Sequence, residues 1–83
     1  MSNLIRVQFE MSEAMGLKLS RLMDVFNIRK KKDLFNNAMS LLEWAARELE
    51  AGRRIGSIDV ENESYKELQM PIFSEVRVKE TAH

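Results

Sequence analysis

The residues that open the chain alternate between apolar and polar side chains. In an extended chain, alternate residues point to opposite faces, so residues 4–11 present one apolar face and one polar face. The apolar face carries Ile5, Val7, Phe9 and Met11, and the polar face carries Arg6, Gln8 and Glu10. This period of two predicts a half-buried β-strand over residues 4–11.

Two patterns of helical period follow the predicted strand. Ser12 is placed to cap the first helix, which we expect over residues 13–26 with Asn27 as a left-handed stop. The second helix is expected to open at Asp33 and to end at Gly52, and its apolar stripe is wide enough to be buried on more than one side. The first stripe consists of Met15, Leu19, Leu22 and Phe26, and the second of Leu34, Phe35, Ala38, Leu41, Leu42, Ala45 and Leu49.

The sequence after Gly52 is less regular. Residues 53–60 have the composition of an extended segment, residues 61–68 are polar and are predicted to hold a short helix, and Pro71 excludes a regular helix around it. We expect an extension over residues 53–74 and a flexible tail over residues 75–83.

The predicted strand has no partner strand in its own chain, because the rest of the sequence is predicted to be helical. Unpaired backbone groups are unstable, so pairing with a second copy is the simplest solution. A single domain of 83 residues without cysteine also favours oligomerisation as a source of stability. The predicted fold is therefore mainly α, an intertwined homodimer with an intermolecular two-stranded antiparallel β-ribbon. Its core would consist of Ile5, Val7, Phe9, Met11, Leu34, Ala38 and Leu42.

Composition excludes several classes of function. The chain has no cysteine and a single histidine, His83, so we expect no catalytic site, no metal and no cofactor. No apolar run approaches the roughly 20 residues of a membrane span, and Glu10 and Glu13 interrupt any signal peptide. We expect a cytoplasmic prokaryotic or phage protein.

Net charge is zero, but the charges are unevenly distributed. Residues 1–60 carry ten Lys/Arg against eight Asp/Glu, and residues 61–83 carry three against five. The one dense basic cluster is Arg29, Lys30, Lys31 and Lys32. Local basicity, more than total charge, sets the affinity for phosphate.

The order of strand, helix, short turn and helix carries a family resemblance. Its markers are the alternation over residues 6–11, the first-helix residues Met15, Leu19 and Leu22, Asn27 in the turn, and the helix start over residues 33–39. In order and spacing, residues 4–52 resemble the ribbon-helix-helix family of prokaryotic DNA-binding proteins. The extension over residues 53–74 lies outside that shared part.

The resemblance implies a mechanism of DNA recognition. In this family two chains pair their strands, and the ribbon enters the major groove with its outward side chains on base edges. Carried over to this sequence, Arg6, Gln8 and Glu10 are the reading positions, where Arg suits guanine and Gln suits adenine. The cluster of Arg29, Lys30, Lys31 and Lys32 would contact backbone phosphates beside the second helix.

Two residues depart from the family pattern. Glu10 places a negative charge on the reading face, where it would accept from cytosine, bond to Arg6 across the ribbon, or prevent reading at that edge. Lys32 stands where many members carry Ser or Thr, so the phosphate contact would depend more on charge than on capping.

The sequence leaves three functions open. The first is a dimeric, sequence-specific DNA-binding regulator, expected to be a repressor, whose partners are itself and double-stranded DNA. The second is an antitoxin with the same N-terminal dimer, in which residues 53–74 bind a toxin. The third is a protein-interaction module that has lost DNA binding, which Glu10 and the zero net charge favour.

Overall fold

Two helices precede a β-hairpin and a short 3-10 helix. The computed structural model describes residues 3–79 and divides the chain into two units, residues 1–35 and 36–83, with the boundary inside the second helix. In chain order the elements are α1 (Glu13–Val25), α2 (Lys31–Glu50), β1 (Gly56–Asp59), β2 (Ser64–Glu67) and a 3-10 helix (Pro71–Glu75). The result is a small mixed α/β fold with two helices and a two-stranded antiparallel sheet, rather than the mainly α class that was predicted.

The bounds of α1 follow from local chemistry, as predicted. Ser12 has extended backbone, and its hydroxyl accepts a hydrogen bond of 3.1 Å from the Met15 amide. At the other end Asn27 takes a φ of 54°, and the Ile28 amide donates to the Met23 carbonyl at 2.8 Å. This bond and the one from the Asn27 amide to the Asp24 carbonyl make a Schellman motif, which satisfies carbonyls that the helix leaves unpaired.

Helix α2 begins two residues before the predicted Asp33. The Lys30 carbonyl accepts from the Asp33 and Leu34 amides at 3.0 and 3.3 Å, so the helix starts on backbone hydrogen bonds inside the basic cluster. Its last residue is Glu50, and Gly52 stops it as predicted, with a φ of 85° that suits a residue without a Cβ. The Arg53 amide donates to the Glu48 carbonyl at 2.9 Å and completes a second Schellman motif.

The prediction of a short helix over residues 61–68 is wrong, because these residues form the turn and second strand of a hairpin. Strand β1 pairs antiparallel with β2, with Ile58 opposite Tyr65. The turn is held by Asp59, whose carboxylate accepts from the side-chain amide of Asn62 at 2.8 Å and from its backbone amide at 3.3 Å. The side chain of Asn62 therefore closes the turn.

Gly56 allows the two strands to approach under an aromatic ring. A Cβ at this position would meet the Lys66 carbonyl oxygen and come within 2.7 Å of the Tyr65 ring. Glycine is therefore required for close packing in the hairpin, and the Tyr65 ring covers the surface that glycine leaves bare.

Residues 3–12 form no strand in the single chain. They carry no regular secondary structure, and within residues 3–79 no backbone hydrogen bond reaches residues 3–11. The predicted strand over residues 4–11 is thus not formed within one chain, and the sheet that the structure shows lies over residues 56–67 instead. A ladder between two chains requires a second copy, which a single chain does not contain.

Lys79 lies against the end of α2. The Lys79 amide donates to the Glu50 carbonyl at 2.7 Å, and the Lys79 ammonium lies 3.3 Å from the Glu50 carboxylate. The flexibility expected over residues 75–83 stays a prediction. The part of that segment after Lys79, including His83, lies outside the described residues.

The described residues hold very little buried apolar surface. Within residues 3–79, Ala45 is the single buried residue, with 4% of its surface exposed. The predicted core positions of α2 remain accessible in the single chain, since Leu34 is half-buried and Ala38 and Leu42 are exposed. Trp44 is also exposed.

Candidate nucleic-acid interface

The three predicted reading positions lie on an accessible segment. Arg6, Gln8 and Glu10 are all exposed, and within residues 3–79 none of them makes a hydrogen bond or an ion pair. The alternate apolar side chains are exposed as well, with 87% of Ile5, 64% of Val7 and 70% of Phe9 accessible. Both faces of this segment are therefore available for contacts outside the chain.

The predicted phosphate contacts lie where α1 leads into α2. We call residues 29–32 the basic turn. Asn27 ends α1 in the left-handed region, Lys30 accepts the first hydrogen bonds of α2, and Lys31 and Lys32 are its first residues. The basic turn thus places four cationic side chains around a helix N-terminus, where the first amides have no acceptor in the helix. That combination is a favourable site for an anion.

The cations of the basic turn are not neutralised by the described residues. All four side chains are exposed, and no ion pair reaches any of them within residues 3–79. Residues 1–35 carry seven Lys/Arg against four Asp/Glu, a balance of +3. Cations that repel one another at the positive end of a helix dipole lower stability unless an external anion compensates them.

Cations near the end of α2 are arranged differently. The Arg53 guanidinium donates two hydrogen bonds of 2.9 Å to the two carboxylate oxygens of Glu48. The hydrogen bond from Arg53 lowers the pKa of Glu48 below its ordinary value, and the bond to Glu48 raises the pKa of Arg53. Arg54 lies 3.1 Å from the Glu67 carboxylate. Arg53 and Arg54 therefore both have carboxylate partners within the chain.

The predicted interface has two parts, the reading positions and the basic turn, which are not bonded to each other among the described residues. No hydrogen bond or ion pair within residues 3–79 joins the reading positions to the basic turn, and none joins Arg6 to Glu10. The bond between Arg6 and Glu10 that the sequence allowed was one across the ribbon, which needs a second chain.

Sequence reasoning missed the hairpin as a candidate surface. Its apolar side chains are accessible, with 75% of Ile58, 80% of Val60 and 54% of Tyr65 exposed. Two features of the sequence are compatible with a hairpin without deciding for it: turn residues over 59–62, and the alternation of Tyr65 with its polar neighbours in β2.

Other kinds of site find no support in the described part of the chain. Within residues 3–79, no group of three or more His, Cys, Asp or Glu side chains is placed to hold a metal ion. Neither helix in that range combines the length and apolar character of a membrane span. Comparison of the chain with protein-family models, curated proteins and solved structures finds no match.

Proposed function

We propose that the chain is a dimeric, sequence-specific DNA-binding regulator, a cytoplasmic repressor with a ribbon-helix-helix arrangement over residues 4–52. The observation that carries the proposal is the basic turn, with four exposed and unpaired cations at the start of α2. Unpaired cations at a helix N-terminus suit the phosphates of a nucleic acid.

The exposed surface supports a dimer. Large apolar side chains are accessible in the single chain, among them Ile5, Val7 and Phe9 near its start and Leu41 and Leu42 in α2. A second copy can cover these side chains.

The unpaired backbone of residues 4–11 supports a ribbon between chains. Pairing with the same segment of a second copy satisfies both backbones at once, because an antiparallel two-fold arrangement is self-complementary. Val7 and Phe9 then face the dimer core, and Arg6, Gln8 and Glu10 face outward. On this arrangement Arg6 donates to a guanine edge and Gln8 pairs with adenine. Glu10 accepts from cytosine or from Arg6 of the second copy.

The test compares two pairs of cations in a duplex titration at two salt concentrations. Lys31→Gln/Lys32→Gln removes two cations of the basic turn, and Lys66→Gln/Arg77→Gln removes two exposed and unpaired cations of the second unit. We expect the first variant to weaken binding to every duplex and to flatten the salt dependence by about 0.9 for each phosphate that it no longer neutralises. The second variant should bind as the parent does. Equal effects of the two variants, or no duplex binding by the parent at low salt, would reject the proposal.

The antitoxin alternative draws less support from the structure. An antitoxin tail that orders on its toxin is expected to be free beforehand. Residues 56–67 instead form a hairpin, and Lys79 bonds to the end of α2. Protease sensitivity of residues 53–74 that disappears on adding a partner would favour the antitoxin.

The interaction-module alternative rested partly on zero net charge. The charges separate into +3 over residues 1–35 and −3 over residues 36–83, where six Lys/Arg face nine Asp/Glu. Zero net charge therefore does not describe the proposed DNA-contacting unit. Glu10 remains the residue that favours this alternative.

A further inference from the structure

One face of the hairpin is centred on two apolar side chains, and the other face is polar. Ile58 and Tyr65 lie opposite each other and share a face with Gly56 and Glu67. The other face carries Ser57, Asp59, Ser64 and Lys66. An isolated two-stranded hairpin is only marginally stable in water, so further strands added at an edge would stabilise it.

The outer edge of β1 is also open. Opposite residues in an antiparallel sheet alternate between hydrogen-bonded and non-hydrogen-bonded pairs. The bond of 2.7 Å from the Leu68 amide to the Ile55 carbonyl shows that Ile55 and Leu68 form a hydrogen-bonded pair, so every second pair from there is also hydrogen-bonded. Ser57 and Asp59 therefore bond to β2, whereas Gly56 and Ile58 direct their amides and carbonyls outward. No other backbone bond within residues 3–79 reaches those outward groups.

We propose that the outer edge of β1 pairs antiparallel with the β1 edge of a second copy, which makes a contact between chains distinct from the N-terminal ribbon. In the register centred on Ile58, this residue lies opposite Ile58 of the second copy. Ser57 then lies opposite Asp59 and Gly56 opposite Val60, each twice by symmetry. The outward groups of Ile58 bond to their symmetry equivalents, and the two pairs of Ile58 and Tyr65 lie side by side on one face of a four-stranded sheet.

Charge selects the β1 edge over the β2 edge. A β2 contact centred on Lys66 brings two lysines opposite each other, one centred on Tyr65 brings Glu67 opposite Glu63, and one centred on Glu67 brings two glutamates together. Like charges directly opposite each other are destabilising, and lysine on an edge strand prevents such pairing. The β1 register centred on Ile58 brings no like charges directly opposite each other.

A single cysteine tests the contact, because the chain has none of its own. In the proposed register, the Cα atoms of residue 58 in the two copies are about 5.5 Å apart, which suits a disulfide. We expect Ile58→Cys to form a disulfide between chains under mild oxidation, with a yield several-fold above that of Lys66→Cys on the other edge. Equal yields, or a higher yield for Lys66→Cys, would overturn the proposal.

Assembly size gives a second readout, which separates this contact from the ribbon. Ile58→Lys places two like charges at the centre of the β1 contact, and Val7→Asp places a charge inside the ribbon. We expect sedimentation to find more than two chains per particle for the parent, two chains for each single variant and one chain for the double variant. The circular dichroism of Ile58→Lys should match the parent, since residue 58 is exposed in the single chain.

The disulfide in the Val7→Asp background shows whether the contact is independent of the proposed dimer. Its persistence there supports the β1 contact even if the ribbon does not exist. Loss of the disulfide in that background, or an unchanged assembly size for Ile58→Lys, would overturn the inference.

Discussion

The two units of the chain differ in whether their basic side chains form ion pairs. In residues 1–35 the seven basic side chains make no ion pair with the described residues. In the second unit, four basic side chains, Arg47, Arg53, Arg54 and Lys79, each lie within 3.3 Å of a glutamate. Cations that have partners stabilise the local structure modestly, whereas the unpaired cations gathered at the basic turn are available to an anion from outside the chain.

The backbone shows the same contrast. Residues 56–67 satisfy part of their backbone in a hairpin within one chain, while no backbone bond reaches residues 3–11. The first unit therefore leaves both its opening backbone and its basic turn without partners among the described residues. On the proposed function, a second copy would pair with that backbone and DNA phosphates would contact the basic turn.

The largest expected effect comes from a charge inside the proposed ribbon. Val7→Asp should abolish the ribbon, because a buried unpaired carboxylate costs several kcal/mol, on the order of 3–5. The matched control is Gln8→Asp, which introduces a carboxylate at the next residue on the opposite face. Sedimentation in the Ile58→Lys background should find one chain per particle for Val7→Asp and two for Gln8→Asp. If the two variants have the same mass, residues 7 and 8 do not lie on the inner and outer faces of a ribbon, and the ribbon is contradicted.

A smaller effect is expected from one reading position. Arg6→Ala should cost about 1–3 kcal/mol of DNA affinity at a single base position and leave other positions unchanged, because Arg contacts one guanine edge. The measurement is a competition titration with duplexes substituted one base pair at a time. A uniform loss across all duplexes would assign Arg6 to phosphate instead of base contact.

A substitution at Gly16 tests whether α1 stays exposed or packs closely against a second copy. A Cβ added to Gly16 meets nothing within 4 Å in the single chain, so alanine there should stabilise an exposed α1 by about 1 kcal/mol. If Gly16 instead allows the backbone of a second copy to approach closely, Gly16→Ala should destabilise the dimer. Urea unfolding compares it with Ser20→Ala, one turn further along α1. Stabilisation by Gly16→Ala would show that no second chain approaches closely there.

The smallest effect concerns Glu48 in the second unit. Its pKa is lowered by the hydrogen bond from Arg53, so its contribution to stability is present above the ordinary pKa of 4.5 and is lost as pH falls through the lowered value. Glu48→Gln should therefore reduce the unfolding midpoint near neutral pH and have no effect in acid. In an Arg53→Gln background the same substitution should show no such pH dependence. A difference that persists in acid would point to packing instead of charge.

The ends of the helices could be predicted from sequence because their causes are local. Ser12 caps α1 through its own hydroxyl, and Asn27 and Gly52 take the positive φ that Schellman motifs require. The start of α2 was placed two residues late, because the helix begins on the Lys30 carbonyl and not on a capping side chain.

The hairpin could not be predicted by the same reasoning. Residues 61–68 are polar and lack an apolar period, and the sequence does not show whether Asn62 caps a helix or closes a turn onto Asp59. That choice depends on the pairing of β1 with β2 and on the Tyr65 ring over Gly56. Reading positions such as Arg6 depend on a second chain and on DNA, so they remain predictions.

Amide hydrogen exchange over residues 4–11, followed through a dilution series of the full chain, tests the central claim most directly. An intermolecular ladder protects the amides of alternate residues, and the protection falls on dilution as the two copies separate. Exchange at the rate of a free peptide at every concentration, or protection that does not change with dilution, would contradict a ribbon shared by two chains.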